Sequence, residues 1–431
     1  MRMSQEVEKD SKKPVKVSKK PEKDSPNRGL ADCLLANKIT YKQLTELCEK
    51  ATPEDLNYLV VKVFDMEEAE LLKQTNVTGF TAYLNKKKNR QRKSRYEKKI
   101  RTGDGKFRHL KDHYIVLAEG DSWFNYPLIL SDVLDWVSME PNIALYSLAA
   151  GADWFLNMIN QREYVAGLSI HNPHYLLLSG GGNDIVGLSR IAVIVDKEEN
   201  SDPYKQNDWV QNKLMNRYYD ASDKSLPICT SFSEKKINDG VKYLNKDFFA
   251  LLMLFKVQYH FIIGKLFQGD KGDPNKPSKY RDLKIITQGY DYPIPDSSDA
   301  LGWNITKWYV PLLRQVNHGK WLQMPLSIKG VPKERHNDVM YAMIFLFNEM
   351  MIDVAHYFNK IIEGTDKNGP RVFHIDNRGI VKDSGWTDEL HPIPGFFKEV
   401  ASLYIKCINQ IPPVSNKSFI YSKEDLNYLK R

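Results

Sequence analysis

A serine, an aspartate and a histidine in this sequence stand where side chains could carry out nucleophilic catalysis. Ser122 ends the tripeptide Gly120-Asp121-Ser122, and Asp388 and His391 lie in the stretch SGWTDELHP. A serine hydroxyl is a weak nucleophile that becomes reactive when an imidazole accepts its proton. A carboxylate beside that imidazole holds the required tautomer and stabilises the imidazolium ion that forms. These three residue types are therefore the ones that acyl transfer through a serine requires.

Acyl transfer also needs hydrogen-bond donors for the oxyanion of its tetrahedral intermediate. Removing one such donor costs on the order of 3 kcal/mol of transition-state stabilisation. The sequence offers three candidates, which are the backbone N–H of Ser122, the backbone N–H of Gly151 in AAGAD and the side-chain amide of Asn183 in GGGND. We predict that these groups form an oxyanion hole. Asp121 is expected to stay outside the chemistry and to fix the loop that carries Ser122.

These polar segments follow short apolar runs that predict buried strands. The runs cover residues 113–120, 143–150, 174–181, 283–290 and 371–376. They are continuous and not alternating, which is typical of strands covered by helices on both faces. Five such strands with helical connections predict an α/β fold with a doubly wound parallel sheet. In that architecture the functional side chains collect at the carboxyl ends of the strands.

The sequence resembles the SGNH or GDSL hydrolase family at four short blocks, which are GDS, the isolated Gly151, GGND and DELH. The resemblance covers residues 113 to about 410, and strong identity is confined to the blocks. It implies a flavodoxin-like three-layer α/β/α fold with a five-stranded parallel sheet. It also implies that Ser122 is the nucleophile, His391 the base and Asp388 its orienting partner, with Gly151 and Asn183 completing the oxyanion hole. Neither a metal nor an organic cofactor is expected from this resemblance.

Three further residues are candidates for binding the substrate. Trp123 directly follows the candidate nucleophile, and Asp291 and Tyr292 lie in GYDYPIP at the end of the fourth predicted strand. The prolines stiffen this aromatic loop, so its position favours a pocket wall. Packing within the core would equally account for Asp291 and Tyr292.

The chain outside the strands divides by composition and periodicity. Residues 1–28 are rich in Lys, Ser and Pro and predict a disordered basic tail, and residues 29–84 have the periodicity of a small helical module. The other assignments are a basic linker at 85–110 and a hydrolase domain at 111–431, with insertions at about 190–282 and 296–368. The insertions exceed ordinary connections and follow strands at the active edge. We therefore expect them to form a cap that shapes the acyl or alcohol pocket.

The basic segment at residues 85–101 reads NKKKNRQRKSRYEKKIR and contains one acidic residue. This pattern favours a solvated linker or helix face, and the alternative is a phosphate-binding patch for nucleic acid or an anionic membrane. Tyr96 is the only aromatic residue in the segment, which argues against a base-stacking surface.

Composition is ordinary for a globular protein, with 42% hydrophobic residues in 431 and a net charge of +8. The four cysteines are scattered without a CxxC pair, which indicates neither a zinc site nor a disulfide framework and favours the cytoplasm. The N-terminal residues have no apolar core and are not expected to act as a secretory signal. In HNPH, residues 171–174, the proline prevents a regular helix, so a loop is favoured over a metal site.

One apolar stretch, residues 248–267, has about the length of a bilayer span. Lys256, Gln258 and His260 interrupt its middle, where charge is costly in lipid. We predict a buried or partly buried helix, with a substrate lid or a lipid-facing surface as the alternatives.

Together these patterns predict a serine esterase or lipase of the EC 3.1 class, acting through an acyl-enzyme. Its substrate would be an O-acyl ester of a lipid, a carbohydrate or another small alcohol. The alternative is a catalytically weak scaffold that carries its core to nucleic acid or an anionic membrane through the basic N-terminal region. In either case the helical module at residues 29–84 is a candidate for binding a protein partner. A scaffold should tolerate Ser122→Ala in every assay, whereas an enzyme should lose turnover.

Overall fold

The structure, a computed structural model, describes residues 27–63, 65, 79–101, 105–126, 130–187, 190–200, 207, 233–268, 278–280, 282–295, 321–363, 369–414 and 418–429. Nearly all of the predicted disordered tail, residues 1–26, lies outside these ranges. So do residues 66–78 of the predicted helical module and, within the two predicted insertions, residues 208–232 and 296–320.

Six parallel strands form one sheet in the described part of the chain. They are β1 (Tyr114–Gly120), β2 (Ile143–Ser147), β3 (Tyr175–Ser179), β4 (Lys284–Gln288), β5 (Val372–Ile375) and β6 (Ile420–Tyr421). Their order across the sheet is β2-β1-β3-β4-β5-β6, and the first five follow the flavodoxin-like order 2-1-3-4-5. The α/β class and the parallel sheet are therefore confirmed.

The predicted number of strands was wrong, because the sheet has six strands and not five. β6 lies at the edge, where Ile420 pairs with His374 and Tyr421 pairs with Ile375 of β5. A strand of two residues is too short to show a hydrophobic pattern, so only its tertiary pairing distinguishes it from a loop.

Parallel register brings the ends of the first and third strands together. Every residue of β3 is buried, as are the last six residues of β1. Gly120 at the end of β1 lies opposite Ser179 at the end of β3. A Cβ atom on Gly120 would come within 2.9 Å of Ser179 and within 2.7 Å of the Phe124 ring. Glycine is thus required here for the two strand ends to approach.

The described helices are numbered in chain order. The first eight are α1 (Arg28–Leu35), α2 (Tyr41–Lys50), α3 (Pro53–Val63), α4 (Gly79–Arg101), α5 (Val133–Met139), α6 (Phe155–Gln161), α7 (Glu163–His171) and α8 (Gly182–Val186). The others are α9 (Ile191–Ile194), α10 (Glu234–Val241), α11 (Lys246–Phe267), α12 (Gln323–Lys329), α13 (His336–Glu363), α14 (Pro394–Ile408) and α15 (Lys423–Leu429). Several begin at the capping residues that favour helix starts, with the side chains of Thr40, Asp132 and Asn245 accepting first-turn N–H groups.

The apolar stretch 248–267 lies in α11, a buried helix, as predicted. α11 packs against α13 and against the N-terminal helices α1 to α3. The segments Lys246–Phe267 and Lys333–Lys360 are long and apolar enough to cross a bilayer, and 89% and 94% of their apolar windows are buried within the protein. Their apolar character is accounted for by this burial. Lys256 in α11 pairs with Asp353 of α13, so the charge that interrupts the stretch is matched inside the core.

The segment predicted as a basic linker lies in α4, which packs against β2 and α5. Two of its cations are buried in ion pairs. Lys88 Nζ lies 2.5 Å from Asp132 Oδ2, and Arg92 lies 2.5 Å from Asp132 Oδ1 and 3.0 Å from Asp135 Oδ1. These two side chains hold α4 against the core, so they are not available to bind an external phosphate. A further set of cations on α4 faces solvent, namely Lys86, Lys87, Arg90 and Lys93, and their binding to an anionic partner stays a prediction.

Replacing Arg92 with methionine is expected to destabilise the fold strongly. The substitution keeps the apolar stem but leaves two buried carboxylates with Lys88 as their main cation. Breaking a buried ion pair from one side costs about 3 to 5 kcal/mol, which urea unfolding monitored by circular dichroism should detect as a lower midpoint. Lys93→Met on the exposed face of α4 is the matched control and should change stability by less than about 0.5 kcal/mol. Equal midpoints for the two variants would contradict the structural role of Arg92.

Candidate active site

The loop after β1 is held by the buried carboxylate of Asp121. Its Oδ1 accepts hydrogen bonds from the backbone N–H of Trp123, at 3.1 Å, and from the hydroxyl of Ser179, at 3.0 Å. Its Oδ2 accepts a hydrogen bond from the Tyr290 hydroxyl. These bonds tie the residues on either side of Ser122 to the ends of β3 and β4. Asp121 therefore has the loop-fixing contacts that its position in the sequence favoured.

The structure brings Ser122, His391 and Asp388 into hydrogen-bond contact. His391 Nε2 lies 2.8 Å from Ser122 Oγ, across 269 positions of sequence. His391 Nδ1 lies 2.9 Å from Oδ2 and 3.0 Å from Oδ1 of Asp388. An imidazole placed in this way accepts the serine proton at one nitrogen while the other donates to the carboxylate.

Local chain geometry sets the spacing of Asp388 and His391. Asp388 Oδ1 accepts the backbone N–H groups of Leu390, at 2.7 Å, and of His391, at 2.8 Å. Short acidic side chains stabilise turns by accepting such N–H groups. The backbone N–H of Thr387 also donates to the His391 carbonyl at 2.7 Å. The DELH segment is thus a tight turn that places the His391 imidazole next to the Asp388 carboxylate.

Electrostatics keep Asp388 ionised. Burial by itself would raise the pKa of this carboxyl, but the charge of His391 and the hydrogen bonds from His391 and Leu390 outweigh burial and lower the pKa below its usual value. An ionised Asp388 accepts a hydrogen bond from Nδ1–H and so selects the tautomer whose Nε2 is free to accept the Ser122 proton.

Tyr126 is a neighbour of Asp388 and His391 that the sequence analysis did not single out. Its hydroxyl donates to Asp388 Oδ2 at 3.1 Å, and its ring lies 4.3 Å from the His391 ring. The backbone of Tyr126 is held in turn, since its carbonyl accepts from Lys88 Nζ at 2.9 Å and its N–H donates to Asp132 Oδ2 at 3.0 Å. The buried ion-pair cluster of α4 therefore supports the position of Asp388 through Tyr126.

Tyr126→Phe is expected to lower kcat by about ten- to a hundred-fold, because a hydrogen bond to a charged group contributes about 1.5 to 3 kcal/mol. KM should stay unchanged, since Tyr126 does not line the pocket described below. Steady-state kinetics on a chromogenic ester would measure both constants. Tyr83→Phe, on an exposed tyrosine of α4, is the matched control. A rise in KM with unchanged kcat would show that Tyr126 does not act through Asp388.

The three predicted oxyanion donors occupy different environments. Ser122 and Asn183 line the same pocket as His391. One hydrogen of the Asn183 amide donates to the Asp153 carbonyl at 2.8 Å, which orients the amide and leaves its second hydrogen for a substrate oxygen. Gly151 does not line this pocket.

The Gly151 peptide is paired with Asn85 of α4. Its N–H donates to Asn85 Oδ1 at 3.1 Å, and its carbonyl accepts from Asn85 Nδ2 at 3.2 Å. Its N–H therefore has an acceptor already, and the structure does not bring it together with Ser122 and Asn183. The pairing partner lies 66 positions earlier in the chain, in a segment whose composition indicated only a basic helix or linker.

The pocket beside Ser122 has a volume of about 480 Å³ including its open mouth. Its other lining residues are Asp121, Trp123, Gly182, Asn183, Ile185, Val186, Tyr290, Asp291, Pro293, Met340, Ile344, Leu390 and His391. Met340 and Ile344 come from α13, in the second predicted insertion, and its apolar sequence indicated only core packing. Most of the wall is apolar, so the pocket suits an apolar group of a substrate.

Two of the three candidate substrate-binding residues line the pocket, and the third does not. Trp123 lines the pocket, and its indole N–H donates to the Leu390 carbonyl at 3.2 Å. Asp291 lines it too, although its carboxylate accepts the N–H groups of Gly379 and Val381, each at 2.6 Å. Burial raises the pKa of Asp291 to about 7. Tyr292 lies outside the pocket lining, with its ring stacked 3.8 Å from that of Tyr341.

Comparison with known proteins identifies no family for this chain. No family model matches the sequence, and no curated protein matches it. A solved structure described as a "putative GDSL-like lipase" from Parabacteroides merdae ATCC 43184 is similar over 69% of this chain and 96% of its own. The sequence identity is 10% and the TM-score is 0.28. Likeness at that level carries no argument about fold or function, so the function has to be argued from the geometry of the site.

Proposed function

We propose that this protein is a serine hydrolase that cleaves O-acyl esters through an acyl-enzyme. The observation that carries the proposal is the continuous contact from Ser122 Oγ to His391 Nε2, at 2.8 Å, and from His391 Nδ1 to Asp388, at 2.9 Å. Both distances lie within the hydrogen-bond reach that a nucleophile and its base require. The resemblance of the GDS, GGND and DELH blocks to SGNH hydrolases supports the same proposal.

In the acylation half-reaction, His391 Nε2 accepts the Ser122 proton as Oγ attacks the ester carbonyl. The oxyanion that forms accepts hydrogen bonds from the Ser122 backbone N–H and from the second hydrogen of the Asn183 amide. The imidazolium, stabilised by ionised Asp388, then gives its proton to the alkoxide leaving group. The products are a free alcohol and an acyl group bound to Ser122 Oγ.

In the deacylation half-reaction, His391 Nε2 accepts a proton from water as the water oxygen attacks the acyl carbonyl. The same donors stabilise the second oxyanion. When that intermediate collapses, the imidazolium returns its proton to Ser122 Oγ and the carboxylic acid leaves. His391 thus carries each proton of the cycle between Ser122 Oγ, the leaving alkoxide and water.

The lining of the pocket supports an ester with an apolar acyl group. Met340 and Ile344 from α13 and Ile185 and Val186 from α8 give it aliphatic walls, and its volume is about 480 Å³. Apolar walls of this kind bind alkyl groups by removing apolar surface from water, at about 25 cal/mol per Å². We propose a lipid or other small acyl ester as the substrate class.

The test is to trap the acyl-enzyme and to measure acyl preference in the same protein. The intact chain would be treated with a fluorophosphonate, and the labelled residue located by peptide mass spectrometry. Initial rates would be measured in parallel with p-nitrophenyl esters of increasing chain length and with mixed phospholipid vesicles. We expect the label on Ser122 and a preference for longer acyl chains over acetate. Labelling at another residue, or no label and no turnover with any ester, would contradict the proposal.

A further inference from the structure

A second cavity lies beside α4 and shares no lining residue with the catalytic pocket. Its volume is about 790 Å³ including the open mouth. We call it the acidic cavity, and its described lining residues are Ala82, Asn85, Glu119, Leu148, Ala150, Asp153, Asn157, Met158, Gln161 and Glu163. It therefore lies at the carboxyl ends of β1 and β2, against α4 and α6.

The acidic cavity is lined by acidic side chains without a matching cation among its described lining residues. Glu119, Asp153 and Glu163 contribute three carboxylates, and no Lys, Arg or His belongs to its described lining. Glu119 is 4% exposed and Asp153 is 8% exposed, while Glu163 is at the solvent-exposed rim. Two acidic side chains are thus desolvated at the inner wall, where an unpaired charge is costly.

Some buried carboxylates in the described chain are paired with a cation, whereas Glu119 is not. Asp132 pairs with Arg92, and Asp425 pairs with Lys406 at 2.7 Å. Among described residues, Glu119 has neither an ion-pair partner nor a side-chain donor, and the Gly120 backbone N–H is the group that favours its ionised form. Burial, followed by the charges of Asp153 and Glu163, raises the pKa of Glu119 well above its usual value. A cation in the cavity would stabilise the ionised form of Glu119.

We propose that the acidic cavity binds a primary alkylammonium group, which pairs with Glu119 and Asp153. The described residues contain no group of three or more acidic, His or Cys side chains that could hold a metal ion, which favours an organic cation. The described lining of the cavity includes no aromatic ring, so a quaternary ammonium would find no cation–π partner among those residues. Leu148 and Met158 in the wall provide apolar contact for the alkyl stem.

The cavity is connected to the catalytic pocket through Asp153, one residue of its lining. Asp153 accepts, through its carbonyl, the hydrogen bond at 2.8 Å that orients the Asn183 amide. An ammonium ion that binds the Asp153 carboxylate would move Asp153, and with it the carbonyl that orients the Asn183 amide. An effect of the ligand on kcat would follow, and that effect, unlike binding, rests on the proposed function.

Binding would be measured by isothermal titration calorimetry on the full chain, with n-butylammonium as the probe in an amine-free buffer of constant ionic strength. We expect saturable binding to the wild type and at least a ten-fold weaker affinity for Glu119→Gln, because a charge-assisted hydrogen bond is lost. Tetramethylammonium and Ca²⁺ should bind more weakly than n-butylammonium. Nα-acetyl-lysine methylamide, in a parallel titration, distinguishes a lysine side chain from a free amine as the source of the ammonium group.

Matched variants separate the site from general charge effects. Glu54→Gln changes the same charge at an exposed position of α3 and should leave the affinity unchanged, while Glu163→Gln at the rim should weaken it only a few-fold. Glutamine is the neutral isostere of a protonated Glu119, so thermal unfolding should show an intact fold. The calorimetric titration contains no ester. It therefore tests the cavity even if the protein does not hydrolyse esters.

The affinity should rise with pH, because Glu119 and Asp153 must lose their protons before they pair with the ammonium ion, and burial raises the pKa of both. The titratable groups that face Glu119 are Asp153, whose pKa burial raises to about 7, Glu163 and Tyr164. In Glu119→Gln this rise should be smaller. The proposal is overturned if Glu119→Gln binds as tightly as the wild type, if Ca²⁺ binds and the amine does not, or if no saturable binding occurs up to about 50 mM.

Discussion

Replacing Ser122 with alanine is expected to lower kcat/KM for p-nitrophenyl esters by at least about ten thousand-fold. The substitution removes Oγ, which is the atom 2.8 Å from His391 Nε2, so no acyl-enzyme can form. The oxyanion donors and the apolar pocket survive, and they account for the residual rate that such variants keep over water. Initial rates for the wild type and the variant, prepared and assayed side by side, measure the loss.

Two further measurements make the Ser122→Ala result specific. Ser402→Ala is the matched control, since Ser402 lies on the exposed side of α14 with its hydroxyl bonded to the Lys398 carbonyl, and it should keep wild-type activity. The Ser122→Ala variant should unfold at the same temperature as the wild type and should still bind ester substrate. Activity within ten-fold of the wild type would remove the serine mechanism and favour the scaffold interpretation of the sequence.

Asp388→Asn is expected to lower kcat by roughly a thousand- to ten thousand-fold while the fold is kept. In the wild type, ionised Asp388 accepts a hydrogen bond from His391 Nδ1–H, which keeps the imidazole proton on Nδ1. An asparagine amide can donate a hydrogen to that nitrogen, which would move the imidazole proton to Nε2. With Nε2 protonated, His391 cannot accept the Ser122 proton, so the attack is blocked before the oxyanion forms.

Kinetics distinguish this tautomer effect from a general disturbance of the loop. KM should change little in Asp388→Asn, because Asp388 does not line the pocket. Asp383→Asn is the matched control, an exposed aspartate five positions earlier in the same loop, and it should retain wild-type kcat. A loss of less than ten-fold in Asp388→Asn, with Asp383→Asn unchanged, would show that His391 does not depend on Asp388 for its tautomer.

The sequence by itself determined the strands and the three residues of the proposed catalytic contact. Continuous apolar runs report burial on both faces, so the five longer strands could be located without any tertiary information. Parallel strands end at one edge of a sheet, so the segments after β1 and β3 had to lie near each other. Asp388 and His391 were also recognisable, because the turn that brings them together is local to the DELH segment.

Only the tertiary structure decided which distant groups pair. The cations of residues 85–101 indicated a solvated surface, yet Lys88 and Arg92 are buried because Asp132 and Asp135 meet them from about 40 positions further along the chain. Local composition cannot report such a partner. The same reason explains Tyr126, whose bond to Asp388 spans 262 positions, and Asn85, which pairs with Gly151. Periodicity reports which side chains are buried, whereas the packing of whole elements decides which buried polar groups satisfy one another.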